Sequence, residues 1–208
     1  DQESVDLNAY LCAEKRCLAS LADAIDRRDE AAAWRREADR LQRALADRFF
    51  DPAAGYFRDR RLGDGGFVAA DGAEGWIPLW AGAASPEQAA VVARALADPG
   101  RFATRVPFPS LFAGQPGFDP AGGYWRWPVW LDQAGFALEG LNRYGFQAQA
   151  DAQFDQLLRN AEGLLEPSGA VRENYDPLSG RGLNARHFSW SAAHLLLRLT
   201  GRTGIPAP

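Results

Sequence analysis

The segment Val171-Arg172-Glu173-Asn174-Tyr175-Asp176-Pro177-Leu178-Ser179-Gly180 sets a carboxylate beside Arg and Tyr, after a helix end and ahead of an Asp-Pro turn. A carboxylate that activates water needs a fixed position and hydrogen bonds more than it needs burial. This setting suits that task, and locally it suits a surface loop with an Arg–Glu pair equally well. A second segment, Tyr124-Trp125-Arg126-Trp127-Pro128-Val129-Trp130, puts four aromatic rings and an arginine at a helix start. Flat apolar faces that also carry an N–H donor suit sugar rings. A wall for a sugar and an aromatic core plug both stay open, because the four rings cannot all point the same way. In the third segment, Phe188-Ser189-Trp190-Ser191-Ala192-Ala193-His194, Ser189 or Ser191 is a candidate helix N-cap. His194, one turn further on, reads as structural and His187 as solvent-facing.

Several chemistries are excluded. With two histidines and no G-x-S-x-G, nothing supports a Ser-His-Asp triad. No spacing suggests a zinc site, so no metal and no cofactor is expected. Gly63-Asp64-Gly65-Gly66 lacks a following Lys and helix and reads as a turn rather than a phosphate loop. Cys12 and Cys17 stand about 140° apart around a helix axis, which suits neither a disulfide nor a shared metal. They read as small half-buried residues and hint at a reducing compartment, so that a cytoplasmic location is slightly favoured over a periplasmic one.

Composition narrows the class further. A formal net charge of -4 with no basic stripe argues against nucleic acid. No apolar run is long enough for a membrane span. Of the seven tryptophans, only Trp34 sits mid-helix on an obvious core stripe. Trp76, Trp80, Trp125, Trp127, Trp130 and Trp190 lie at loops or helix starts, which suggests a lined pocket. The chain begins Asp1-Gln2-Glu3 and has no Met, as expected of a fragment, a processed product or a sequence from which some residues were dropped.

The elements that must position these residues are helical. Residues 5–26 read as a helix with Leu7, Leu11, Leu18, Leu21 and Ile25 on one stripe, and 29–49 as its antiparallel partner, with Trp34, Ala38, Leu41, Leu45 and Phe49 at helical spacing. Tyr56–Arg60 and Gly66–Ala69 suggest a small β-hairpin. A weaker helical hairpin spans 76–97. The third spans 128–165, capped midway by Gly145, with Phe154, Leu157, Leu158, Ala161 and Leu165 inward. A last helix covers 189–199. The long irregular stretch 100–124 reads as functional, as loops of that length usually are. Acidic-Pro stops recur at Asp51-Pro52, Asp98-Pro99 and Glu166-Pro167, and Gly55–Asp59 resembles Gly169–Glu173. This is a diverged repeat of hairpins, of the sort that closes into a toroid or stacks into a solenoid.

Five motifs in order carry a resemblance: Val5-Asp6-Leu7-Asn8, Gly75-Trp76-Ile77-Pro78-Leu79, Tyr124–Trp130, Glu173–Gly180 and Phe188–Ala192. Over essentially the whole chain they are similar to glycoside hydrolase family 63. The bacterial α-glucosidase branch looks nearest, with mannosylglycerate and glucosylglycerate hydrolases in the same family and the family 37 trehalases more distant. The resemblance implies an all-α (α/α)6 barrel, of which residues 1–208 form the C-terminal half or slightly more, as part of a single catalytic domain. It implies an inverting mechanism in which an Asp protonates the leaving oxygen and a Glu deprotonates the attacking water, the carboxyl groups about 6.5–9.5 Å apart. Glu173 matches the general base. Trp76, Trp125, Arg126, Trp130, Trp190, Asn174 and Tyr175 match substrate-binding positions, and Asp6 and Asn8 fall in the first motif. The general acid belongs to a Gly-x-Asp segment upstream of Asp1. The expected partners are a small α-linked sugar and the N-terminal half of the same barrel. The alternative is an inactive or truncated carbohydrate-binding relative; a helical scaffold or a sugar epimerase is disfavoured by the placement of the aromatics and by the scarcity of His.

Overall fold

The computed structural model describes residues 1–119, 123–167 and 169–201. Residues 120–122 of the long loop and Ser168 of the third stop lie outside these. Helix α1 (Val5–Ala24) starts at Ser4, whose hydroxyl accepts the Leu7 N–H at 3.3 Å. It packs along α2 (Arg28–Ala44), which continues into a single π turn, Leu45–Phe49. The chain then makes two short antiparallel ladders. Phe50–Asp51 (β2) pairs with Tyr56–Phe57 (β3), and Arg60–Arg61 (β4) with Gln2–Glu3 (β1). Of the expected hairpin of 56–60 with 66–69, the structure keeps the bridge from Arg60 to Phe67 and a main-chain bond from Val68 N to Asp59 O at 2.9 Å, with Arg61 N bonded to Gly66 O at 2.8 Å.

A 3-10 turn at Ala73–Trp76 leads into α3 (Ile77–Trp80), and α4 (Pro86–Ala97) follows. Helix α4 begins with a full capping box: Ser85 Oγ accepts from Gln88 N at 3.2 Å and Gln88 Oε1 from Ser85 N at 3.0 Å. Helices α5 (Leu131–Arg143) and α6 (Gln147–Asn160) form the third hairpin, and α7 (Ser189–Leu199) lies against α5. Glycines on α5 set this spacing. A Cβ on Gly140 would stand 2.9 Å from Leu79 Cβ, and one on Gly135 2.9 Å from the His194 ring. Glutamines of α6 reach the end of α4: Gln149 Nε2 donates to Ala93 O at 2.9 Å and Gln153 Nε2 to Leu96 O at 2.7 Å.

Two apolar stripes are left partly uncovered among the described residues. On α1 the buried residues are Val5, Ala9, Cys12, Ala13, Ala19 and Ala22, whereas Leu7, Leu21 and Ile25 are 57–68% exposed. Small side chains allow α1 and α2 to approach closely, so the alanine face turns inward and the leucine stripe outward. Leu165 is exposed as well, because α6 ends at Asn160, five residues before it.

A third sheet joins three later segments. Val129–Trp130 (β5), Arg172–Tyr175 (β6) and Gly182–Arg186 (β7) form an antiparallel sheet in the order β5-β6-β7. The long 100–124 stretch is tied down beside it by bridges from Leu111 to Gly72 and from Pro109 to Val129. Asp71 locks the same region: its carboxylate accepts from Arg58 Nε at 2.6 Å and Arg101 Nη2 at 2.9 Å.

Candidate active site

Glu173 is the middle of β6 and is half-buried. Its two carboxylate oxygens have different partners. The Tyr124 hydroxyl donates to Oε1, and the Ala185 N–H donates to Oε2 at 3.3 Å. Its own carbonyl accepts from Ser191 Oγ at 3.1 Å, which ties β6 to the first turn of α7. Ser191 therefore braces Glu173 instead of capping the helix, and Phe188 takes the N-cap position. The bond to Glu173 raises the Tyr124 phenol above its usual range, because a carboxylate accepting from the neutral hydroxyl opposes its ionisation.

The tryptophans sort into an open platform and its support. Trp125 and Trp130 stack at 4.1 Å between ring centroids, with 9° between planes. Trp130 is buried and stands opposite Asn174 in the ladder, whereas Trp125 is 48% exposed. One face of Trp125 is thus covered by Trp130. Tyr124 meets Trp130 edge-on at 4.9 Å, and the exposed Trp190 flanks Trp130 at 6.2 Å. Ser110 Oγ donates to Trp125 O at 3.1 Å, so the 100–124 stretch holds the platform in place.

Trp76, Asn174 and Tyr175, expected to bind substrate, are fully buried in this structure. The Trp76 ring packs against Phe102 at 5.4 Å and Phe108 at 6.0 Å. Tyr175 turns its hydroxyl to the Arg172 N–H, which donates at 2.9 Å. Asn174 Oδ1 accepts from Asn184 Nδ2 at 3.0 Å. Arg126 is exposed and pairs with Asp119 at 3.0 Å. In the first motif, Asp6 accepts from the Leu7 N–H at 2.7 Å and Asn8 Nδ2 donates to Ser4 O at 2.7 Å, so both complete the start of α1.

Trp125 also lines a cleft of about 220 Å³ with Gln2, Asp59, Val68, Ala70, Glu74, Ser110 and Leu111. Two carboxyl groups in it are perturbed. Burial, aided by the charges of Asp59 and Asp6, pushes Glu74 up to about 8, although its carboxylate accepts the Gly72 N–H at 2.9 Å. Asp59, held by Val5 N–H at 2.8 Å and Gln2 Nε2 at 2.7 Å, is raised by burial. In the repeat of Gly55–Asp59 with Gly169–Glu173, Asp59 is the counterpart of Glu173, whereas the sequence analysis misses Glu74. The one available signal for Glu74 is its place immediately before Gly75-Trp76. Among the described residues no group of three or more His, Cys, Asp and Glu side chains is placed to hold a metal ion. No described helix is long and apolar enough to cross a membrane.

The site thus sets a held carboxylate beside an aromatic platform, on a sheet braced by a helix. Residues 1–191 match the model of the mannosylglycerate hydrolase MGH1-like glycoside hydrolase domain, and the chain belongs to that family, within glycoside hydrolase family 63. Mannosylglycerate hydrolase MGH1 of Selaginella moellendorffii is 38% identical over 152 residues, 72% of this chain and 29% of the relative. The mannosylglycerate hydrolase of Thermus thermophilus is 38% identical over 144 residues, covering 69% of this chain and 33% of the relative. A crystal structure of the family 63 mannosylglycerate hydrolase from Thermus thermophilus in complex with Tris superposes with a TM-score of 0.78 at 33% identity, covering 95% of this chain and 45% of that one. Neutral trehalase Nth1 from Saccharomyces cerevisiae shares the fold, with a TM-score of 0.79 at 22% identity. The chain thus spans less than half the length of these relatives, and its fold is part of an (α/α)6 glycosidase barrel.

Proposed function

We propose that this chain carries the general base of an inverting glycoside hydrolase acting on a small α-linked glycoside. The observation that carries the reading is the two-point hold on Glu173, by the Tyr124 hydroxyl and the Ala185 N–H. It leaves an oriented carboxylate whose lone pairs can take a proton from water. Water attacks the anomeric carbon as Glu173 accepts its proton. The glycosidic bond breaks, and its oxygen receives a proton from an Asp in the part of the protein upstream of Asp1. Trp125, backed by Trp130, stacks on the sugar, and Arg126 and Trp190 border it. Trp76, Asn174 and Tyr175 hold these groups from beneath.

The substrate reading is an α-glucoside or a glycosylglycerate. The names of the mannosylglycerate hydrolase relatives favour the latter, and the motif resemblance to the α-glucosidase branch supports the former. The partner within the protein is the remaining half of the barrel. Its helices cover the exposed Leu7, Leu11, Leu21 and Ile25 of α1 and Leu196 and Leu199 of α7, a spread of apolar residues too extended for a free surface. The test is hydrolysis of a panel of α-linked disaccharides, mannosylglycerate and glucosylglycerate by the full-length protein, with the product anomer followed by NMR. Release of the β-anomer is expected. Initial release of the α-anomer would overturn the inverting mechanism, and sugar binding without hydrolysis would favour an inactive carbohydrate-binding relative.

A further inference from the structure

Strands β6 and β7 do not pair evenly. Tyr175 lies opposite Gly182 and Asn174 opposite Leu183, yet Arg172 lies opposite Arg186. Glu173 alone therefore faces two residues of β7, Asn184 and Ala185, which is a β-bulge. Asn184 adopts left-handed backbone, φ 53°, a conformation that Asn takes more readily than most residues with a Cβ. In an even antiparallel ladder the N–H groups point at main-chain carbonyls or away from the partner strand. Here the extra residue turns the Ala185 N–H to Oε2 of Glu173. The bulge is also fastened at its left-handed residue. Asn184 Nδ2 donates at 3.0 Å to Oδ1 of Asn174, which is fully buried and set in the ladder opposite Trp130.

We propose that Asn184 is a positioning residue for Glu173: its left-handed backbone creates the bulge that aims the Ala185 N–H at the carboxylate, and its amide anchors that bulge to buried Asn174. It acts through Glu173 and not on the sugar. The proposal rests on the reading of Glu173 as general base.

The experiment compares Asn184→Ala, Asn184→Gly and Glu173→Gln in the full-length enzyme, measuring kcat and KM separately, well below each variant's melting temperature. Alanine resists left-handed backbone and glycine accepts it. A misplacement of about 1 Å costs on the order of 10²-fold in rate. We therefore expect Asn184→Ala, which resists the left-handed backbone and lacks the amide, to lower kcat by roughly tenfold or more with KM nearly unchanged, and Asn184→Gly, which lacks only the amide, to recover part of it. A merely structural role would lower thermal stability and spare kcat. Should the alanine variant not fold, Asn184→Ser takes its place under the same criteria. Unchanged kcat in Asn184→Ala, or equal loss in the glycine variant, overturns the positioning role while inactive Glu173→Gln leaves the base in place. An active Glu173→Gln overturns the underlying reading instead.

Discussion

Asp71→Asn tests how the chain beneath the site is held. Asp71 is 4% exposed and accepts from two guanidinium groups, Arg58 at 2.6 Å and Arg101 at 2.9 Å. Its carbonyl accepts the Phe112 N–H at 2.8 Å, so it joins the turn before Trp76 to the stretch that carries Ser110 and, through it, Trp125. Removing one member of a buried ion pair costs about 3–5 kcal/mol, because the remaining charge stays buried. Asn keeps one carbonyl oxygen as acceptor. The Arg58 and Arg101 side chains retain 15% and 19% exposure, and Arg58 keeps Asp51 at 2.8 Å. The expected loss is therefore at the low end, about 3 kcal/mol, or roughly 6–12 °C in Tm for a domain of this size. Arg101→Met is the control. It leaves Asp71 bonded to Arg58, and its flexible apolar chain refills the space beside Tyr56, Phe102 and Phe112, over whose rings the guanidinium lies at 5.3–5.7 Å. It should cost less than half as much. Urea denaturation of both variants provides the measurement. A loss below about 1 kcal/mol for Asp71→Asn, or a larger loss for Arg101→Met, would refute the reasoning from a buried paired charge.

The site itself offers two more tests. Glu74 keeps its proton up to about pH 8 in the folded chain against an ordinary value of 4.5, so its contribution to stability is full below pH 4.5 and is lost as pH rises through about 8. Denaturation midpoints of Glu74→Gln should fall less over that window than those of the unaltered protein, and parallel curves would contradict the assignment. Tyr124→Phe removes one of the two holds on Glu173. A hydrogen bond to a charged group contributes about 1.5–3 kcal/mol, so kcat/KM should fall roughly tenfold or more, and a change under about twofold would show that the phenol does not orient the base.

The helical part of this fold was legible because its signals are local. Gly145 separates α5 from α6, and the Asp98-Pro99 stop ends α4. The direction of a face was harder to read. Leucines at helical spacing on α1 look like a core stripe, yet the alanines pack inward, since close approach to α2 favours small side chains. The sheet around Glu173 escaped because β5 has two residues and β6 four, too few for a period to show. The tryptophans were found by type, but which of them is open depends on stacking between Trp125 and Trp130. The cleft with Glu74 escaped for a related reason: its walls come from Gln2, Asp59, Glu74, Ser110 and Trp125, segments that only the folded chain brings together. Glu173 stood out through its place in an ordered set of motifs. Its two holds come from Tyr124 and from a main-chain N–H, and the latter has no signature in the sequence.

The central claim is that Glu173 is the general base, and Glu173→Gln in the full-length protein tests it most directly. Glutamine preserves the shape of the side chain and removes its ability to take a proton. With the most rapidly hydrolysed α-glycoside of the panel, kcat should fall by about 10²–10⁴-fold, the usual size of general base catalysis, while sugar binding measured by calorimetry persists. Full activity in that variant would contradict the account.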